Sequence, residues 1–473
     1  MSAVIEEIPL ALPPAALFAG LHGRPCAFFL DSGLSSGGLG AYSFIGFDPF
    51  LVFSAKGRAI TLTRDGRAET HTGDPLAELQ VLLRRYAAPP PTLRSQVSAF
   101  SSPKIPFTGG AVGFFGYELC TQLEKLPRTS PDDLPEVPDL AFAFYDGIIA
   151  HEHATARTWL VANPVHTASA ATILARIRAA VSQLSTLGPC PSALSTLNAQ
   201  PSSPTSDFTP ASYAAAVARI KAYIASGDVY QVNLTQRFEA PLPCAPFALY
   251  QRLRARSPSP FATYLNLGAV QIASSSPERL LRIHDRHIET RPIKGTRRRD
   301  ADPAADARLA RELLASVKDR AELLMIVDLE RNDLGRVCDY GSVQVDDLWR
   351  LESHPTVHHL VANVSGTLRA GCDAIDCLRA TFPGGSITGA PKIRAMEIID
   401  ELEPHRRHVY TGAIGYLGFD GNCDLNIAIR TLTCVNRRAY YHVGAGIVWD
   451  SDPASEYQET LDKGRAMHDA LTT

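Results

Sequence analysis

Two stretches of this 473-residue chain carry acids at helical spacing. Asp319 and Glu322 lie three apart, and Glu456, Glu459 and Lys463 follow at i, i+3 and i+7, so each set shares one helix face. Carboxylates of this kind suit Mg2+, which keeps most of its waters and takes only one or two protein carboxylates. Paired acids on a helix are more often just a solvated face. Lys294 stands before Gly295-Thr296 among Arg291, Arg297 and Arg299. A lysine so placed is a nucleophile with a lowered pKa, part of an anion site, or a basic surface turn, and the turn is the commonest of the three. Pro383-Gly-Gly-Ser-Ile-Thr-Gly-Ala-Pro-Lys392 is a glycine-rich loop before a helical stretch, Ile393 to Leu402. Backbone N–H groups at such a junction hold anions, but the loop fits neither the Walker nor the dinucleotide pattern. Gly444 and Gly446 allow close backbone approach to a ligand, or form a bulge.

Something must position these groups. Cys26–Leu30 and Pro49–Phe53 have the composition of short strands between Gly- and Ser-rich turns. The run Gly109 to Tyr117 has no phosphate-loop lysine, and suits a buried strand with close backbone neighbours. Leu184 to Ser206, rich in Ser, Thr and Pro, has the character of a surface connection. A helix begins after it: Thr209 can cap, Pro210 suits the first turn, Gly227 the end, and Tyr213, Val217, Ile220 and Ile224 share a face. Strands and helices then alternate without the regular beat of a parallel sheet. The expected fold is α+β, with large, mainly antiparallel sheets packed together and flanked by helices. The expected organisation is an N-terminal part over 1–185, a connection over 186–206 and a catalytic domain over 207–473.

Composition narrows the function classes. A net charge of −3 with no basic run gives no footprint for nucleic acid or a membrane surface. No apolar stretch is long enough to span a bilayer, and the N-terminus is acidic where a secretory signal is basic. The nine cysteines are scattered without CxxC spacing, which suits reduced thiols and a cytoplasmic protein.

Taken together and in order, these segments resemble the chorismate-utilising enzymes. The matching elements are Gly227-Asp-Val-Tyr-Gln-Val-Asn-Leu234, Ser276-Pro-Glu278-Arg279, Arg291 to Thr296, and Met325 to Asp333. They continue with His359-Leu-Val361, Pro383 to Lys392, Gly412 to Tyr416, Gly444 to Gly446, and Ser455 to Lys463. The N-terminal half matches more loosely, through Phe29-Leu-Asp-Ser32 and Gly46-Phe-Asp-Pro49. The resemblance implies that Glu322 and Glu459 bind Mg2+ directly, with Asp319 and Glu456 supporting through water; Asp319 is shorter than the glutamate common in the family. It implies a chorismate site completed by Gly295, Thr296, Tyr410, Arg430, Gly444, Gly446 and Lys463. Glu278 matches a catalytic general acid/base and His359 a histidine near the substrate ring. Family members hold tryptophan in an N-terminal pocket, and Ser32, Pro260 and Phe261 match its positions.

Lys294 selects the branch. Anthranilate and isochorismate synthases carry alanine in this Pro-Ile-x-Gly-Thr element, whereas aminodeoxychorismate synthases carry a lysine that attacks the substrate. Isochorismate and salicylate synthases place a water-activating lysine where this chain has Gln231. The resemblance thus implies amination of chorismate at C4, for p-aminobenzoate and folate synthesis. Anthranilate synthase component I is the alternative, and a non-catalytic binder of chorismate or tryptophan a second one. The chain has no Gly-x-Cys-x-Gly elbow, so a separate glutamine amidotransferase is expected to supply ammonia, and a separate pyridoxal-phosphate lyase to act on the product.

Overall fold

Thr209 does cap a helix, Pro210–Ala225: its side chain accepts from the Ser212 N–H, and the Ser212 side chain accepts in return from the Thr209 N–H. Tyr213, Val217 and Ile220 are buried on one face, and Gly227 follows the end at φ 82°. The computed structural model containing this helix describes residues 2–10, 12–34, 39–88, 105–127, 129–187, 203–354 and 357–473.

Among these residues the strands form two antiparallel sheets of twelve strands each. The first runs Val4–Ile8, Arg157–Ala162, Gly147–Glu152, Tyr42–Gly46, Phe28–Asp31, Phe261–Asn266, Gln271–Ser276, Thr431–Val435, Arg438–Ile447, Gln231–Pro241 and Thr205–Ser206, with Gly389–Ala390 added beside Gln231–Pro241. The second runs Ile293–Arg298, Val357–Thr367, His287–Arg291, Arg279–His284, Cys423–Ile427, Ala413–Gly418, Gly110–Phe115, Leu140–Tyr145, Leu51–Lys56, Ala59–Arg64 and Arg67–Thr72, with Gln344–Ser353 beside Val357–Thr367. Strands from the two ends of the chain meet in both sheets: Ala262 faces Asp31 in one, and Tyr416 faces Val112 in the other. The glycine-rich run Gly109–Tyr117 contains a fully buried strand, as its composition predicts. A Cβ on Gly113 would come within 1.9 Å of the Ala141 carbonyl oxygen, so only glycine fits there.

Phe28, Trp159, Val161 and Ile272 of the first sheet pack against Phe114, Ile414 and Tyr416 of the second, closing a sandwich core. Ile177, Leu249 and Met467, from helices Ala170–Leu187, Pro246–Arg256 and Pro453–Thr472, pack with Phe29 and Leu432 of the first sheet. Leu79, Leu323 and Leu378, from Pro75–Arg85, Val317–Gly335 and Ala374–Thr381, pack with Phe142, Leu281 and Val364 of the second. This is the expected α+β architecture. Of the expected connection, 184–187 close the helix Ala170–Leu187, Thr205 and Ser206 pair with Glu239 and Phe238, and 188–202 lie outside the described residues. No helix among the described residues is long and apolar enough to cross a membrane.

Candidate active site

The strand Ile293–Arg298 pairs Lys294 with Leu360 and Thr296 with His359, leaving Gly295 as an extra, bulged residue. Gly295 has φ 73°, and a Cβ on it would lie 2.8 Å from Leu313 Cδ1 and 2.9 Å from Asp319 Cγ. The side chains on either side of the bulge both find polar partners. Lys294 Nζ donates to the Ser386 carbonyl at 3.2 Å, and Thr296 Oγ1 lies 3.0 Å from His359 Nδ1. The predicted glycine-rich loop thereby meets the predicted lysine.

Burial sets the protonation here. It lowers the Lys294 amine from its ordinary value; Glu322 pulls the other way and Lys463 adds to the lowering. Burial raises the Glu278 carboxyl, against the Ser386 hydroxyl and the Ile293 N–H, which donates to Oε1 at 3.3 Å. His359 is pushed down to about 3, first by burial and then by Arg430 and His354, and so is neutral. Arg430 has φ 50°, an unusual backbone for arginine, and lies within the field of Glu278. Burial thus favours an unprotonated amine and a protonated carboxyl side by side, an arrangement suited to nucleophilic attack with acid assistance.

The acids come from two helices. Asp319 and Glu322 lie on Val317–Gly335, and Glu456 and Glu459 on Pro453–Thr472. Burial raises Glu322, with Asp319 and Glu459 adding to it, and burial raises Glu456, with Glu459 again contributing. Burial pushes Glu459 up, but Lys463 at 2.7 Å, with Lys294 and Lys318, brings it down on balance. Asp319 accepts from Arg297 Nη2 at 2.9 Å, and Lys318 stands 3.9 Å from Glu322. Among the described residues no three acid, histidine or cysteine side chains gather closely enough to cage a metal. Mg2+ does not need such a cage. Glu322 and Glu459 come from different helices, and the charge of Glu459 is felt by Glu322; they are the hard oxygen donors that could hold it.

The remaining predicted residues divide. Lys463 Nζ donates to the Gly444 carbonyl at 3.0 Å, which ties the C-terminal helix to the strand holding Gly444 and Gly446. Tyr410 instead stacks on His442 at 5.1 Å and lies 5.9 Å below Arg407; no described contact joins it to Lys294 or Arg430. Ser32, Pro260 and Phe261 line one cavity of about 140 Å³ between the sheets, with Arg279, Tyr416 and Asn426. Sequence reasoning did not single out Ser386 or Arg297, although both lie inside quoted segments. Their roles are contacts across the fold, which local sequence does not encode.

Residues 40–469 match the chorismate binding enzyme family, and the chain belongs to it. It is thus a chorismate-utilising enzyme. Anthranilate synthase component 1 of Streptomyces coelicolor is 41% identical over 98% of this chain and 88% of its own length. Aminodeoxychorismate synthase component 1 of Klebsiella aerogenes is 41% identical over 95% of each chain. The crystal structure of anthranilate synthase component I from Streptococcus pneumoniae superposes with a TM-score of 0.74 at 32% identity, covering 90% of this chain and 92% of that one.

Proposed function

We propose that this chain is the chorismate-aminating component of an aminodeoxychorismate synthase, which forms 4-amino-4-deoxychorismate on the way to p-aminobenzoate and folate. The observation that carries this reading is Lys294, a buried amine of lowered pKa beside the protonated-leaning Glu278. The amine attacks ring C2 as both ring double bonds shift and the C4 hydroxyl departs, taking the Glu278 proton to leave as water. Ammonia then attacks C4; both ring double bonds shift back and the C2–N bond breaks, releasing Lys294 as a free amine. The new ammonium returns a proton to Glu278, so chorismate and ammonia give aminodeoxychorismate and water. His359, neutral and close to Thr296, faces the ring without adding charge.

Arg430, Lys463 and the backbone at Gly444 and Gly446 hold the substrate carboxylates. Glu322 and Glu459 would hold Mg2+, with Asp319 and Glu456 behind them, and the ion when bound neutralises and anchors the ring carboxylate. A separate glutamine amidotransferase supplies the ammonia, in keeping with the "component 1" names of the relatives. The cavity at Ser32, Pro260 and Phe261 takes tryptophan. Anthranilate synthesis is the second reading, favoured by the equal identity to a relative of that name. Incubation with chorismate, Mg2+ and ammonium chloride decides between them. Aminodeoxychorismate with its pyruvyl group retained is the expected product; anthranilate and pyruvate would replace this reading with the second.

A further inference from the structure

His354 stands at the turn between the strands Gln344–Ser353 and Val357–Thr367, which pair Glu352 with His359 and Ser353 with His358. The His354 N–H donates to the Val357 carbonyl at 2.8 Å, which carries the pairing one step further. Side chains alternate between the faces of paired strands, so this register puts His354 and Glu352 on the face that His359 presents to Thr296. The two histidine rings meet there, 5.3 Å apart between centroids and tilted by 60°. Arg299 Nη1 donates to the His354 carbonyl at 3.0 Å, so the backbone is held on both sides of the ring.

The ring is buried, yet its Nδ1 has no hydrogen-bond partner among the described residues. A buried nitrogen left unpaired loses its hydration without return, and native proteins keep few such groups. Beside a reaction site, the group that completes it is a ligand.

Charge selects the ligand. Burial first, then Arg291 and Arg430, hold His354 below the usual histidine pKa, so the ring is neutral and carries one N–H. Nε2 lies 3.9 Å from Glu352, beyond hydrogen-bond reach, and Arg291 and Arg350 already answer that carboxylate. The proton is therefore free to sit on Nδ1. Arg430, the other cation acting on the ring, is buried and makes no ion pair among the described residues. A donor nitrogen and a cation that both lack partners suit a carboxylate. In the reading above Mg2+ takes the ring carboxylate of chorismate and Glu278 meets its hydroxyl, which leaves the enolpyruvyl carboxylate for this wall. We infer that His354 is a further substrate-binding residue, its Nδ1–H donating to the enolpyruvyl carboxylate of chorismate beside Arg430. This rests on that placing of the substrate, whichever ring carbon is aminated.

Initial rates of the whole chain with chorismate, Mg2+ and ammonium chloride test it. His354→Phe keeps a ring and removes both nitrogens. Its KM for chorismate should rise about tenfold or more, the worth of a hydrogen bond to a charged group, while the KM for ammonia changes less than about twofold. Its melting temperature should hold or rise, since an unpaired buried nitrogen is gone. His354→Asn carries an amide about where Nδ1 stands and should recover most of the affinity. His354→Gln, whose amide reaches nearer to Nε2, should not. An unchanged KM for chorismate in the phenylalanine variant would assign water to Nδ1 and overturn the inference. Equal losses in the asparagine and phenylalanine variants, with lowered melting temperatures, would mark a packing role and overturn it too. Should the phenylalanine variant not fold, equal KM values in the asparagine and glutamine variants would do the same. Arg430→Gln separates the inference from the reading beneath it. A normal KM for chorismate in that variant defeats the placing of the carboxylate and the inference together. A raised one, beside a normal value in His354→Phe, defeats the inference alone.

Discussion

Lys294 makes one hydrogen bond to a neutral carbonyl, and burial disfavours its charged form. It has two ways to serve chorismate, as an attacking amine or as a fixed cation, and these make opposite demands on its proton. Lys294→Arg separates them. Arginine keeps the cation but is practically never deprotonated, so kcat should fall at least about a thousandfold while chorismate still binds. Substantial activity in this variant would end the covalent route. The pH profile has a definite sign: activity rises as Lys294 loses its proton and falls as Glu278 loses its own. Since burial moves the first down and the second up, both limbs lie nearer neutrality than the free side chains would place them. Little of this was legible in the local sequence. Lysine among arginines is usually a surface turn, and only the order of the surrounding segments argued otherwise.

The acids belong to elements whose starts are well fixed. Ser316 accepts from the Asp319 N–H at 3.2 Å and Asp452 from the Ser455 N–H at 2.9 Å, so each helix begins within about two turns of its acids. The shared faces of the acids were readable from spacing. The facing of the two helices was not, since no local pattern records which distant helix lies opposite. Glu322→Gln and Glu459→Gln test the pairing. Each should reduce turnover at limiting Mg2+ by at least about tenfold; the melting temperature should hold or rise in Glu322→Gln, which relieves a crowded, raised carboxylate, and fall slightly in Glu459→Gln, which loses the Lys463 ion pair. Wild-type turnover at limiting Mg2+ in either variant would remove that residue from the metal site.

At the scale of the whole molecule, both sheets combine strands from the two ends of the chain, and the cavity at Ser32 lies between the sheets. Arg279, bound to Asp424 through two hydrogen bonds at 2.9 Å each, lines this cavity, whereas its neighbour Glu278 accepts from the Ile293 N–H next to Lys294. Calorimetric titration with tryptophan should show one site per chain, weakened about tenfold or more in Phe261→Ala, which loses a ring from the lining. Absence of heat at millimolar tryptophan would remove that ligand. Alternating short strands and turns in the sequence argued for antiparallel sheets, but gave no means of pairing Phe28–Asp31 with Phe261–Asn266.

The first sheet is completed from its middle. Thr431–Val435 and Arg438–Ile447 lie between Gln271–Ser276 on one side and Gln231–Pro241 on the other, and this late hairpin joins two groups of earlier strands that pair within themselves. Domains usually fold in the order in which the ribosome releases them. Until that hairpin is made, the facing edges of Gln271–Ser276 and Gln231–Pro241 stay open to pairing with another chain.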